Sequence, residues 1–230
     1  MTYSASAIYA ERYFRDATYF LKRQALFAGI GLIVFLVCVK ISPDWLREHS
    51  KLLIILSFAF LVLVYIPGIG KTGGGARRWI RFFGFSIQPV EFAKIAVTIY
   101  LGDYLTRKNK WIQERGLKAF VPPFLVVLLI CLIVFVQPDL GSVVFILMMS
   151  FFMFFLAGLK LRYIITAAIL GVPMIILMAV IEPYRLKRIV SYLDPWQDAR
   201  GSGYQIIQSF LAFGLGGWKG VGLGASTQKL

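Results

Sequence analysis

Several long stretches of this 230-residue chain carry no formal charge. Ala119 to Pro138 and Leu140 to Leu159 each run 20 residues, and Leu52 to Gly70 and Tyr163 to Ile181 each run 19. At a rise of about 1.5 Å per residue, each crosses a hydrocarbon layer of about 30 Å. Ala25 to Val39 is a shorter fifth run. Val90 to Leu105 is a sixth, interrupted by Glu91, Lys94 and Asp103. None alternates with a period of two, which excludes a membrane barrel. The pattern predicts an all-α, polytopic membrane helix bundle over residues 1–181. About six transmembrane helices are expected, near 24–41, 52–67, 89–105, 120–137, 140–158 and 162–181. Residues 182–230 are then expected to be the start of a large extracytoplasmic loop with an interfacial helix.

Composition agrees, with 59% apolar residues and a mean hydropathy of +0.75, beyond the usual apolar share of a soluble domain. The first apolar run begins only near Ala25 and no small-residue cleavage site follows, so no cleavable signal peptide is read. Cys38 and Cys131 fall inside apolar runs and are expected to be inert core thiols. A single histidine, His49, excludes a histidine metal cluster.

Charge orients the bundle. The loops Lys40–Lys51, Leu105–Ala119 and Leu159–Arg162 hold 10 Lys/Arg in about 31 residues, while the loops of opposite parity hold 14 in about 99. Density places the first group in the cytoplasm. Met1 then lies outside, and the chain is expected to be a fragment lacking one helix before Met1 and a further stretch after Leu230. The +14 net charge suits membrane anchoring or attraction of an anionic headgroup. Positives divided between two faces of a bilayer exclude a nucleic-acid partner.

Ionisable groups inside a span are costly and need a partner or a cavity. In Ser86-Ile-Gln-Pro-Val-Glu-Phe-Ala-Lys94, Pro89 suits a first helical turn that Ser86 or Gln88 can cap. Glu91 and Lys94 then share a face at a spacing of three and can pair. They form either a capping carboxylate with a local ion pair or a cavity-facing functional pair. The second reading is preferred, because a lysine one turn into a span is hard to account for otherwise. In Gln137-Pro-Asp-Leu-Gly-Ser142, Asp139 suits a helix start, with helix-capping and functional readings both open.

Tyr65-Ile-Pro-Gly-Ile-Gly-Lys-Thr72 imitates a nucleotide loop. It is rejected because a span, not a strand, precedes it, and the first glycine of that pattern would have to stand at Tyr65. Gly73-Gly-Gly-Ala-Arg-Arg-Trp-Ile-Arg81 offers a backbone nest and two adjacent guanidinium groups, Arg77 and Arg78. Pyrophosphate clamp and interfacial anchor stand level. Farther on, Asp194 before Pro195 reads as a helix cap, and Asp198 as a loop residue with no evident partner. Gly203 to Phe213 reads as an amphipathic helix too short to span. The glycines at 214, 216, 217, 220, 222 and 224 read as irregular backbone, tolerated at a membrane only where protein covers it or a wet cavity runs beside it.

Taken in order, these motifs resemble the SEDS family of bacterial cell-wall polymerases (FtsW, RodA, SpoVE). The matching stretches include Gly75-Ala-Arg-Arg-Trp-Ile80, Gln88-Pro-Val-Glu-Phe-Ala-Lys94, Gln137-Pro-Asp-Leu-Gly141, Glu182-Pro-Tyr-Arg185, Asp194-Pro-Trp196, Gly201-Ser-Gly-Tyr-Gln205 and the closing run from Gly222 to Leu230. The variants are most similar to the division and sporulation branch.

The resemblance implies a ten-helix, multi-pass protein of the bacterial plasma (inner) membrane, with the spans here matching its second to seventh helices. It implies a peptidoglycan glycosyltransferase that polymerises lipid II, the undecaprenyl-pyrophosphate-linked disaccharide peptide, into glycan strands during division or cell-shape maintenance. Its partners would be a class B penicillin-binding protein transpeptidase and other division proteins. The family's essential aspartate falls after Leu230, so no catalytic residue is expected within this chain, and the chain alone is expected to be inactive. Substrate or cavity residues are expected at Glu91, Lys94, Arg77, Arg78, Gln88, Gln137, Asp139, Lys187 and Arg188. No metal site is expected, although a divalent cation at the lipid pyrophosphate stays open. Ser86 stands where some members carry an arginine, so a phosphate contact at that position is not carried over. The alternatives are a lipid II flippase and an inactive module that only binds division proteins.

Overall fold

The computed structural model describes residues 6, 10–73, 76–82, 85–181 and 190–222. Two compact units are present, Ile41–Ile169 and the combination of Met1–Lys40 with Leu170–Leu230. The helices include α1 (Tyr19–Val39), α2 (Pro43–Glu48), α3 (Ser50–Leu63), α4 (Pro89–Arg107), α5 (Asn109–Arg115), α6 (Val121–Val136), α7 (Leu140–Leu156), α8 (Leu161–Ile181) and α9 (Tyr204–Gly216).

Within Ile41–Ile169, α4 is the central helix, packed on α3, α6 and α7. Its buried face is Val90, Ala93, Ala96, Val97 and Leu101, which meets Ile54 and Leu61 of α3, Val127, Ile130 and Val134 of α6, and Val143, Ile146 and Phe154 of α7. Lipid is as apolar as leucine, so close packing rather than expulsion of water holds such helices together, and small residues allow it. Ala93 and Ala96 supply that role. The opposite faces carry Ile55, Leu129, Leu132, Met148 and Phe152 in the open, where a membrane protein meets lipid. Buried Ser57 and Ser150 donate to the carbonyl oxygens of Ile54 and Ile146, both at 2.7 Å, so neither hydroxyl is left unsatisfied in the core.

By length and composition, Tyr19–Val39 and the continuous helical stretch Asn109–Val136 are apolar enough to cross a membrane. The run from Leu52 to Gly70 is not helical throughout, since α3 ends at Leu63. Pro67 disfavours helical geometry at Ile66, and Gly68 follows with φ of +90°.

After that turn comes a three-stranded antiparallel sheet, β1 (Gly70–Gly73), β2 (Ala76–Phe82) and β3 (Phe85–Ile87), in the order β1-β2-β3. Gly70 pairs with Ile80, and Ile80 with Ile87. A Cβ on Gly70 would stand 1.9 Å from the Val64 carbonyl oxygen, so only glycine fits where the chain turns back. Among the described residues, this sheet is the one departure from an otherwise helical architecture. Of the residues read as a nest, Gly73 ends β1 and Arg77, Arg78 and Arg81 lie on β2, while Gly74 and Gly75 are outside the described residues.

In the other unit, Asp16 accepts from the Thr18 amide at 2.8 Å and the Thr18 hydroxyl at 2.6 Å, just ahead of α1. A 3-10 helix (Pro195–Asp198) precedes α9. Gly214 and Gly216 lie inside α9 and extend it three residues past the expected Phe213. Irregular backbone begins only after them, with Gly217, Gly220 and Gly222 at positive φ.

Candidate functional site

Four of the expected polar residues, Arg78, Gln88, Gln137 and Asp139, meet at the turn between α6 and α7. Gln137 is buried, and its Nε2 donates to the Leu61 carbonyl oxygen at 3.0 Å. This contact stitches the end of α6 to α3. Asp139 is the N-cap of α7, accepting from the Ser142 amide at 3.3 Å and the Ser142 hydroxyl at 2.9 Å. A carboxylate here also meets the positive end of the helix dipole. Gln88 Nε2 donates to the same carboxylate at 3.1 Å. Gln88 is therefore N-cap of α4 by position only, since its side chain makes no capping bond. Ser86 is drawn into β3 and does not cap α4 either.

The two adjacent arginines part company. Arg78 Nε donates to the Gln137 carbonyl oxygen at 3.1 Å, and a second nitrogen donates to the Pro138 carbonyl oxygen. Arg77 is exposed. Lys71 pairs with Trp79 and Thr72 with Arg77, so Arg78 is the extra residue of a strand irregularity, and its guanidinium, unlike that of Arg77, is committed to the α6–α7 turn. Arg78 thus fastens β2 to the bundle.

Glu91 and Lys94 pair at 2.8 Å on α4, with side chains 61% and 21% exposed. Lys94 Nζ also lies 5.0 Å from the centre of the Phe145 ring on α7, within cation–π range. The Thr98 hydroxyl, one turn on, lies 2.8 Å from the Lys94 carbonyl oxygen and 3.0 Å from Met149 Sδ. Lys94 thus sits against α7, about 9 Å along the axis from Gln88 at helical rise. Lys187 and Arg188 lie outside the described residues.

Two further carboxylates differ from expectation. Asp194 is N-cap of the 3-10 helix without making a capping bond, and it accepts from Gln197 Nε2 at 3.0 Å. Asp198 is not partnerless. It accepts from the Ser202 amide at 3.1 Å and the Ser202 hydroxyl at 3.0 Å, closing the turn into α9. A serine four residues downstream was the available signal.

One polar centre escaped sequence reading. Asp103, with a side chain 7% exposed, accepts from the Ser50 hydroxyl at 2.8 Å and pairs with Arg107 at 3.0 Å. Arg107 at a spacing of four was readable from sequence, whereas Ser50 is 53 residues away. Of the two cysteines, Cys131 is buried and Cys38 exposed, so only the first is a core thiol. Among the described residues, no three His, Cys, Asp or Glu side chains are grouped to hold a metal.

Comparison with known proteins places these features in a family. The family model for FtsW, RodA and SpoVE, described as cell cycle protein, matches residues 1–230. The chain is 43% identical over 229 residues to stage V sporulation protein E of Bacillus subtilis, covering all of this chain and 62% of that protein. It is also 43% identical over 231 residues to a probable peptidoglycan glycosyltransferase FtsW of Trichlorobacter lovleyi, covering 60% of it. The chain therefore spans about three fifths of these relatives. Among solved structures it resembles a peptidoglycan synthase complex described as coordinating polymerization and crosslinking. That match has a TM-score of 0.69 and 29% identity over 86% of this chain and 58% of that one. It also resembles the rod shape determining protein RodA of Thermus thermophilus, with a TM-score of 0.56 and 26% identity over 69% of this chain and 50% of that one.

Proposed function

The chain belongs to the FtsW/RodA/SpoVE family of polytopic helical membrane proteins, and from that premise we propose that it forms part of a peptidoglycan glycosyltransferase of the bacterial plasma membrane. Its substrate is lipid II, and its partner is a class B penicillin-binding protein transpeptidase. The names of the relatives support the chemistry, and the likeness to a synthase complex supports the partner. The observation that carries the reading for this chain's own residues is Lys94, a cation held within α4 by Glu91 and the Phe145 ring.

In the reaction a base removes the proton of an acceptor sugar hydroxyl. The freed oxygen attacks the anomeric carbon of the lipid-linked donor, and the bond to pyrophosphate breaks with its electron pair leaving on the lipid pyrophosphate. Cations that face the growing negative charge lower the barrier, and Lys94 is the described residue assigned that task. Asp194 and Asp198 accept local hydrogen bonds, and the base is assigned, on the family resemblance, to the aspartate its members carry after the matched segment.

The test is a chimera in which residues 1–230 replace the matching segment of the Bacillus subtilis relative. Supplied with lipid II and the transpeptidase, it should yield glycan strands on a gel, and Lys94→Gln should abolish them. Movement of labelled lipid II across vesicles without strand growth would replace the polymerase reading with a transporter.

A further inference from the structure

At the end of α4 away from Gln88, the unit Ile41–Ile169 contains an open polar cavity of about 430 Å³ between α2, the first turn of α3 and the last turn of α4. Three carboxylates (Asp44, Glu48, Asp103) and three cations (Arg47, Lys51, Arg107) line it. These side chains do not simply cancel one another. Asp103 is committed to Ser50 and Arg107 and forms a fixed wall. Arg47 stands 3.7 Å from Asp44. Glu48 and Lys51 enter no ion pair among the described residues, which leaves one anion and one cation for a guest.

A simple anion here would meet Glu48 and Asp44, and a simple cation would meet Lys51 and Arg47. The three carboxylates also do not group to hold a metal among the described residues. A guest that carries both signs satisfies both free side chains. Its depth is given by the surroundings. Trp45, 46% exposed, stacks on His49 with ring centres 4.3 Å apart, the placement of an interfacial aromatic. Leu52 and Ile55, which begin the apolar outer face of α3, are 51% and 61% exposed. The 19 residues of α4 put the cavity about 27 Å from Gln88, close to one hydrocarbon thickness.

We propose that this cavity holds the headgroup of a zwitterionic phospholipid with a primary ammonium, of the phosphatidylethanolamine class. The ammonium is taken by Glu48, the phosphate by Lys51, and the acyl chains lie along Leu52 and Ile55. A primary ammonium donates charge-assisted hydrogen bonds that a quaternary one cannot, so choline headgroups bind less well. A glycerol headgroup offers no cation to Glu48. The proposal rests on the membrane placement and not on glycosyl transfer.

The purified chain in detergent, incubated with phosphatidylethanolamine, phosphatidylcholine and phosphatidylglycerol of matched acyl chains, would be read by native mass spectrometry. Phosphatidylethanolamine should be retained about tenfold over either competitor, the scale of one charge-assisted bond. Glu48→Gln should erase the preference over phosphatidylcholine, and Lys51→Gln should weaken retention of both alike. Both side chains are exposed, and unchanged melting would show that the variants fold. Equal retention of phosphatidylglycerol, or variants that bind as the parent does, would overturn the proposal. Displacement by millimolar glycerophosphoethanolamine would also overturn it, in favour of a soluble zwitterion.

Discussion

Gln88 Nε2 and Asp139 Oδ2 lie 3.1 Å apart, joining the residue before α4 to the residue before α7 across 51 positions of sequence. Removing the amide with Gln88→Leu leaves Asp139 its two Ser142 donors, so the loss should be about 1 kcal/mol. Denaturation by increasing dodecyl sulfate fraction in mixed micelles measures it. Gln88→Glu should cost more than Gln88→Leu, because it sets a second carboxylate against Asp139. Equal losses in the two variants would show that the two side chains do not meet.

Lys94 and Lys110 separate a functional cation from a solvated one. In the chimera, Lys94→Ala should lower strand synthesis at least about a hundredfold, the scale of losing one group that stabilises transition-state charge. Lys110→Ala, at an exposed position on α5, should leave synthesis unchanged. Equal activity of the two at matched membrane levels would reduce Glu91–Lys94 to a local ion pair.

Asp16 gives a pH dependence with a defined sign. Hydrogen bonds from the Thr18 side chain, then from Lys22 and the Thr18 amide, lower its carboxyl from 3.8 to about 2. The folded-state value is depressed, so its contribution to order ahead of α1 is complete above pH 3.8 and is lost as pH falls through about 2. The Asp16 carboxyl carbon resonance should titrate near 2. Thr18→Ala should move the midpoint upward, and a midpoint near the ordinary value in the parent would remove the hydrogen bonds from the account.

Orientation is open to a direct chemical test. With Cys38→Ser and Cys131→Ala in place, a cysteine at Asn109 should resist a membrane-impermeant reagent added from outside, and one at Gly201 should react. The expectation follows from the greater positive density of the loops around Asn109. Label at Asn109 and none at Gly201 would invert the scheme.

Local signals were legible in the sequence. Pro89 at the first turn of α4 and Asp139 at the cap of α7 announce helix starts, and both stand where the structure has them. The Glu91–Lys94 pair also follows from spacing alone. Pairing between distant segments was not legible. Gly73 to Arg81 read as a glycine-rich nest because strand pairing depends on partners across the turn, and glycine weakens the strand pattern. Whether Arg78 joins Arg77 or turns to the Gln137 and Pro138 carbonyl oxygens depends on where the α6–α7 turn arrives. Asp103 was visible only as an interruption of an apolar run, because its buried partner Ser50 belongs to another helix.

Arg78 grips carbonyl oxygens, and every residue has one. The hold of the β-hairpin on the α6–α7 turn is therefore indifferent to which side chains stand at positions 137 and 138. Gln137 is left to stitch α3, while Asp139 reaches α4. Three leashes thus leave one short turn in three directions, and each runs through different atoms. Evolution can retune any one of them without unfastening the other two, but a rigid displacement of the turn pulls on the hairpin, α3 and α4 together.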